Sequence, residues 1–537
     1  MSSSATLDLA FHWYQSCCSG HSLCSRQAQP CPSWLPSRLL DIGSQGETCW
    51  RLVVVSQDRI ALAPYATLSY RWGLDAGVKL LRSTLDDFRQ GQQRISDLPK
   101  TFQDAIVVAR RLCIRYLWID ALCIVQDASE DKAREIPKMG SIYRNATCSL
   151  AASASEDPHG GLFRARDTTT VAPGLIQAPA GAIRNETHHV VDTSYRDRQI
   201  LSGPLHRRGW VFQERFLSTR VIYFGQSQMF WECLAALKCE GFPQGMPSQF
   251  QSAKSMEPLW EMRDASRHSK SLLPQSSCGL PLKDQAMSTP ALRLWNHLVR
   301  AYSNCALTFP GDRLPAFAGI AELFREATGD QYLAGLWRAN LLPLLDWWVD
   351  QPRARASAAE YRAPSWSWAS LDGPVRPRFA VAQSAFLVSI SAVALEKPQG
   401  IAAVDHPGYG TDHVCLHLVG SLTLSTKHPQ LMHCALHPDI LGITLGVPGP
   451  FAFLPLQTSY HDPFPGSLGQ HDSIAHATEV SCLLLEPVIC TDPVVYRRVG
   501  HCVVTDPEDI LRLGLQVDGS GLASVQNKPN NIKIIII

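Results

Sequence analysis

Three short segments of this 537-residue chain set polar side chains among apolar ones, and chemistry is expected there. They are Leu68-Ser69-Tyr70-Arg71-Trp72-Gly73, Leu117-Trp118-Ile119-Asp120-Ala121-Leu122-Cys123-Ile124-Val125-Gln126-Asp127 and Arg207-Arg208-Gly209-Trp210-Val211-Phe212-Gln213-Glu214-Arg215. Trp210 and Glu214 are four apart, so a helix brings them to one face. A ring beside a carboxylate suits a ligand with a flat ring and a sugar hydroxyl. Glu214 is the carboxylate that could contact such a hydroxyl; the alternative is an ion pair with Arg208 or Arg215 that fixes the helix end. Ser69, Arg71, Asp120 and Trp210 are the candidate ligand-binding residues. Arg71 can grip phosphate bidentately or pair with Asp120. Asp120 can orient a ribose or cap the following loop. Glu135, a rival carboxylate, reads as a solvated helix face beside Arg134 and Lys138. Cys123 has no neighbouring His to activate it and reads as core. Trp72, Trp118 and Trp231 read as core aromatics, and Trp366 and Trp368 as one packed face of a strand.

Other chemistries lack their signatures. The chain has no GxxxxGKS/T phosphate loop, no HExxH zinc helix and no GxSxG nucleophile elbow. Gly408-Tyr409-Gly410 is not followed by the third glycine of a dinucleotide fingerprint. Cys17, Cys18, His21, Cys24 and Cys31 could supply soft metal ligands, but they lack the two separated pairs of a standard finger. A reduced Cys-rich arm is the expectation, with no metal.

The elements that must position these residues follow from periodicity. Trp50–Val55 and Tyr65–Tyr70 read as strands, as do Tyr116–Asp120, Cys148–Ser153 and Arg220–Phe224. Pro99 precedes an apolar stripe of Phe102, Ala105, Ile106, Ala109, Leu112 and Cys113, which predicts an amphipathic helix. A second helix carries Ile136, Met139, Ile142 and Tyr143, its regular part starting at Pro137. Strands alternating with helices predict an α/β fold with a parallel sheet. Ligands in such sheets bind beyond the carboxyl ends of strands, where Ser69, Arg71 and Asp120 fall.

The expected organisation is a Cys-rich arm (1–45), an α/β domain (46–235) and a polar linker (236–290). A helical extension with a Trp-rich end (291–375) and a β-rich region (376–537) follow. Order within the extension reads as helical from Trp295 to Trp337. The terminal Ile534–Ile537 run reads either as an adventitious tail or as a docking strand. A formal net charge of +1 gives no sequence-wide attraction to nucleic acid or to an anionic membrane. With no export signal, no ~18-residue apolar run and an odd count of 17 cysteines, a cytoplasmic protein with reduced thiols and no membrane span is expected.

Taken together, the motifs resemble the fungal heterokaryon-incompatibility (HET) domain. They run Tyr65-Ala66-Thr67-Leu68-Ser69-Tyr70-Arg71-Trp72-Gly73, Leu117-Trp118-Ile119-Asp120-Ala121-Leu122-Cys123-Ile124, then Glu135, Met139, Ile142-Tyr143 and Ala146. Arg208-Gly209-Trp210, Gln213-Glu214, Leu217-Ser218, Arg220 and Trp231-Glu232-Cys233 complete the series, and Pro364-Ser365-Trp366-Ser367-Trp368 resembles the usual extension. The resemblance covers roughly residues 35–375; Val125, where the family commonly has Asn, and Pro137 depart from it. It implies a fungal effector of programmed cell death in non-self recognition. The HET domain is itself similar to TIR domains, some of which cleave NAD, and Trp210-x-x-x-Glu214 looks like the TIR motif that holds the catalytic glutamate. This implies a flavodoxin-like, TIR-like fold, no cofactor, and NAD as a substrate. Protein partners or self-assembly on activation are implied, with a separate sensor protein. The alternative is a non-enzymatic module that signals by homotypic assembly.

Overall fold

The computed structural model describes residues 1, 3–27, 34–74, 77–166, 171, 174–177, 187–190, 194–247, 254, 256–271, 286–354, 361–378, 384–395, 414–420, 423–425, 434–441, 451–461, 477–489, 494–517, 523–525 and 532–537. Cys31, the Gly408-Tyr409-Gly410 turn and stretches of the 236–290 linker lie outside them. The chain divides into two units. The first comprises Met1–Glu257, Cys305–Leu307 and Pro315–Glu322, the second Pro258–Asn304, Thr308–Leu314 and Leu323–Ile537.

The first unit opens with helices α1 (Ser4–Gly20) and α2 (Ser22–Gln27), within the span expected as an arm. Strands β1 (Arg38–Asp41), β2 (Cys49–Val54) and β3 (Tyr65–Ser69) follow. Helix α3 (Leu85–Arg89), strand β4 (Gln93–Arg94) and helix α4 (Lys100–Arg111) lead to β5 (Tyr116–Trp118). Helices α5 (Asp120–Cys123), α6 (Ser129–Glu135) and α7 (Met139–Asn145) lead to β6 (Cys148–Ala151). A hairpin of β7 (Gly174–Gln177) and β8 (Thr187–Val190) and helix α8 (Gly209–Leu217) precede β9 (Arg220–Phe224), β10 (Met229–Cys233) and β11 (Leu237–Cys239).

Nine strands form one sheet in the order β11-β10-β9-β6-β3-β5-β1-β2-β4. The expected parallel sheet is mixed. Strands β9, β6, β3 and β5 run parallel at its centre, while β10 and β11 on one side and β1, β2 and β4 on the other join antiparallel. The physical reason is connection length, since Gly225 N donates to Gln228 O at 3.1 Å in a tight turn that permits only antiparallel pairing. Strand β3 has β5 on one flank and β6 on the other, so the winding reverses at β3/β6. The crevice beyond the carboxyl ends of such a pair is where open α/β sheets bind ligands. All five residues of β3 are buried, as a strand covered on both faces requires.

Two local expectations need correction. The apolar stripe of α4 holds for Phe102, Ala105, Ile106, Ala109 and Leu112, all buried, but Cys113 is exposed with φ +60°. The helix has ended at Arg111, and Cys113 takes the left-handed conformation of a C-terminal cap. The second helix is two helices, α6 and α7, joined by a 3-10 turn at Ile136–Lys138. Pro137 lacks the N–H that a continuous helix would use.

Helix α7 packs on residue 319 at the closest approach two backbones allow. A Cβ on Gly140 would stand 2.8 Å from the Cα of Gly319 and 3.7 Å from Gln213 Oε1. Backbone cannot yield as a flexible side chain can, so Gly140→Ala is expected to destabilise the first unit by about 1–3 kcal/mol. Urea unfolding of the variant against wild type measures this; an unchanged midpoint would show that the helices separate freely.

The second unit is β-rich, as expected. Its largest sheet runs through Ser384–Phe386, Phe451–His461, Ala477–Ile489, Val495–Val504, Ile532–Ile536, Val414–Gly420 and Ser389–Leu395. The terminal isoleucines are therefore an internal strand, pairing antiparallel with Val414–Gly420 and parallel with Val495–Val504. Ile534 and Ile536 are fully buried. The expected helix from Trp295 to Trp337 is broken. A helix spans Thr289–Ser303, capped by Ser288, and Tyr332–Leu333 pairs with Leu336–Trp337 in a small hairpin. Trp366 and Trp368 are buried but not on a strand. Ser367 Oγ accepts the Ala369 N–H at 3.0 Å and starts a 3-10 turn, Trp368–Ser370. Among the described residues no helix is long and apolar enough to cross a membrane.

Candidate functional site

Glu214 and Ser69 meet at the carboxyl end of β3. Ser69 is the last residue of that strand, and its hydroxyl donates to Glu214 Oε2 at 2.5 Å. Helix α8 is aimed there by its two ends. At the start, Arg208 is extended (φ −84°, ψ 133°), and the Gly209 N–H donates to Ala306 O at 2.8 Å. At the end, Ser218 Oγ donates to Glu214 O at 2.7 Å. Ser218 also shares a hydrogen bond with Ser149 on β6, and Ser149 one with Thr67 on β3, at 2.7 and 2.5 Å. This chain of buried hydroxyls fastens α8 to the two strands that flank the winding reversal. On the opposite side Gln213 Oε1 accepts the Gly319 N–H at 2.7 Å.

Glu214 is only 7% exposed. Burial raises its pKa to about 7, and the Ser69 hydrogen bond and the Arg208 charge hold it from rising further, while Asp120 pushes it up. The Tyr143 phenol lies against the same carboxyl and is pushed well above its ordinary range, first by burial and then by Glu214. Arg208 Nη1 donates to Tyr70 O at 2.9 Å, which holds its charge near both Glu214 and Asp120.

Asp120 sits one residue past Ile119, at the start of α5. Its Oδ1 accepts the Ala121 N–H at 2.7 Å within the first turn of that helix, whose N-cap is Ile119, and its Oδ2 accepts from Trp72 Nε1 at 2.7 Å. Burial raises its pKa too. The Tyr70 hydroxyl is buried beside the Asp120 carboxyl, and burial followed by that neighbour pushes the phenol well above its ordinary range. Trp72 is half-buried, with Lys79 Nζ 5.9 Å from its ring centroid, so it is not the core aromatic expected. Gly73 follows at φ +65°, where a Cβ would meet Asp157 Cβ at 2.8 Å. That turn redirects the chain directly after Trp72, three residues past the end of β3.

Residues 65–214 match the family model for the heterokaryon incompatibility protein (HET). The chain carries a HET domain. No curated protein and no solved structure matches the chain. A HET domain implies a function related to heterokaryon incompatibility.

Within the HET domain, Ser69 and Glu214 are in contact, and Asp120 joins them through Arg208 and the Tyr70–Trp72 segment. Arg71 turns elsewhere. It pairs with Glu156 rather than with Asp120, and both of its pairing groups reach solvent. Glu214 makes no ion pair with Arg208 or Arg215 among the described residues; Ser69 donates to it and the Tyr143 phenol lies beside it. Trp210 is half-buried on α8, one turn before Glu214. Glu135 is not a solvated face: it is buried, and its Oε1 accepts from Ser37 Oγ and Lys138 Nζ, both at 2.9 Å. It anchors α6 to the segment before β1. Cys123, Trp118 and Trp231 are buried, as expected.

Tyr70, Tyr143 and Arg208 were not singled out as site residues by sequence. The first lies inside a motif that was, and Arg208 was weighed only as an ion-pair partner of Glu214. Tyr143 carries no local signal, since it belongs to the apolar stripe of its own helix.

Proposed function

We propose that the chain is a fungal heterokaryon-incompatibility effector that induces cell death by TIR-like cleavage of NAD, with Glu214 as the catalytic carboxylate. The observation that carries this reading is the Ser69–Glu214 contact at the carboxyl end of β3, beside the winding reversal, with a pKa raised to about 7. The central parallel order β5-β3-β6-β9 is the 2-1-3-4 order of flavodoxin-like sheets, which supports the TIR-like comparison.

In this reading the bond between nicotinamide nitrogen and ribose C1′ breaks, and its electron pair leaves with nicotinamide. Ionised Glu214 stabilises the cationic ribose, as carboxylates do in glycoside cleavage. Water oxygen then bonds to C1′ and releases a proton, giving ADP-ribose. Ser69 holds the carboxylate in place, while Asp120, with the Tyr70 hydroxyl beside it, would receive the ribose hydroxyls. The exposed Arg71–Glu156 pair is worth at most ~1 kcal/mol, so a pyrophosphate can displace Glu156. NAD is thus a substrate and not a resident cofactor. Activation by protein partners or self-assembly, triggered by a separate sensor, completes the proposal, with the cytoplasm as its setting.

Purified full-length protein incubated with NAD is expected to release nicotinamide, more when artificially clustered than when dispersed. The rate should rise with pH through about 7 as Glu214 ionises. A second reading, a non-enzymatic module acting by homotypic assembly, is favoured by the near-complete burial of Glu214. No nicotinamide from either dispersed or clustered protein decides for that module.

A further inference from the structure

The two helices before the HET domain bring together a donor set with no part in the site above. Sγ of Cys17, Cys24 and Cys233 and a ring nitrogen of His21 all lie within 4.8 Å of one another. Cys17 sits in the last turn of α1, His21 follows directly as its C-cap, Cys24 lies in α2, and Cys233 ends β10. The three thiols are free and fully buried, while His21 is half-buried. Two thiols face one imidazole nitrogen: Cys233 Sγ is 3.4 Å and Cys24 Sγ 3.9 Å from His21 Nδ1.

Buried cysteines alone are ordinary small core residues. A histidine whose single ring nitrogen faces two thiols, with a third beside them, is the arrangement of a tetrahedral ligand shell. Zn–S bonds of about 2.3 Å and Zn–N of about 2.05 Å set tetrahedral edges of about 3.8 Å between sulfurs and about 3.6 Å from sulfur to nitrogen. The two sulfur–nitrogen distances bracket that value.

A second observation comes from a residue outside the donor set. Arg220 is buried, its Nε donates to Cys17 Sγ at 3.2 Å and its Nη1 to Thr147 O at 3.3 Å, and no carboxylate pairs with it among the described residues. A buried guanidinium needs a counter-charge. Three thiolates around one Zn²⁺ leave a single negative charge, which Arg220 would neutralise from the outer shell.

We propose that Cys17, His21, Cys24 and Cys233 bind one structural Zn²⁺ that clasps the N-terminal helices to strand β10 of the HET-domain sheet. Thiolate and imidazole donors select zinc over the oxygen-seeking Mg²⁺ and Ca²⁺. Four protein ligands leave no open position for water, so the ion holds structure and performs no hydrolysis. Cys18 is exposed and stands outside the shell.

The test uses full-length protein purified without chelator. Elemental analysis is expected to find about one zinc per chain, and exchange with Co²⁺ to give the intense visible absorption of tetrahedral cobalt–thiolate. His21→Ala, at the most accessible ligand, should weaken zinc binding by at least about 10–100-fold, the loss typical of an outer-shell change alone, whereas Cys18→Ser should leave it unchanged. The wild-type metal content and cobalt spectrum decide the question even where a variant fails to fold. Folded wild-type protein without zinc, with copper or iron instead, or with a disulfide between any two of the three cysteines overturns the proposal.

Discussion

Glu214→Gln is expected to abolish nicotinamide release while making the first unit more stable at alkaline pH. The side chain keeps its size and can still accept the Ser69 hydrogen bond, but it loses the charge. Removing one preorganised electrostatic group from a reacting centre typically lowers the rate by about 10²–10³-fold. The stability effect has the opposite sign. The carboxyl titrates near 4.5 when unfolded and near 7 when folded, because burial disfavours its ionised form. Its contribution to stability is therefore fully present below about 4.5 and is lost as pH rises through about 7. The shift amounts to about 3 kcal/mol.

The amide never ionises, so the variant should exceed wild type by up to about 3 kcal/mol at pH 8.5 and by little at pH 5. Urea midpoints at the two pH values, measured beside the nicotinamide assay, separate three cases. Lost activity with the alkaline gain is the signature of a catalytic carboxylate held at a cost in stability. Destabilisation at both pH values would make Glu214 a structural anchor. Retained NAD cleavage would move the catalytic role to another residue.

Removing Ile532–Ile537 is expected to unfold the second unit. This strand lies inside its sheet, between Val414–Gly420 and Val495–Val504, and the loss exposes both neighbouring edges. Ile534 and Ile536 are fully buried, and truncating a buried isoleucine to alanine costs about 2–5 kcal/mol. Further bonds go with the strand: the Ile537 N–H to Tyr496 O at 3.1 Å and the Ser365 N–H to Ile537 O at 3.0 Å. Together these approach the whole stability of an ordinary domain. Limited proteolysis should cut the truncated chain throughout 323–531. Ile534→Ala should give an intermediate effect and Ile535→Ala, half-exposed, a smaller one. Protease resistance equal to wild type would show that the sheet closes without this strand.

Much of the HET domain was legible because its signals are local. Short apolar runs marked β3, β5, β6 and β9, as strands covered on both faces require, and the 3.6-residue stripe marked α4. The sheet's mixed flanks were not legible, because a strand's direction depends on its connection and partner rather than on its own apolar run, as the tight turn from β9 to β10 shows. The terminal isoleucines show the limit sharply. Their composition left an adventitious tail and a docking strand equally open, and only their partners decided for a strand inside the sheet.

The candidate site divides the same way. By itself the sequence determined that Ser69, Asp120 and Glu214 fall at strand ends and on a helix, because motif order and periodicity are properties of the chain alone. Only the tertiary structure decided that Glu214 meets Ser69 rather than an arginine, that Arg71 turns to Glu156, and that Trp72 serves Asp120. It also decided that Cys233 stands beside Cys17, His21 and Cys24. Partners in space are set by how strands and helices pack, and residues far apart in the chain leave no trace of their meeting in local spacing.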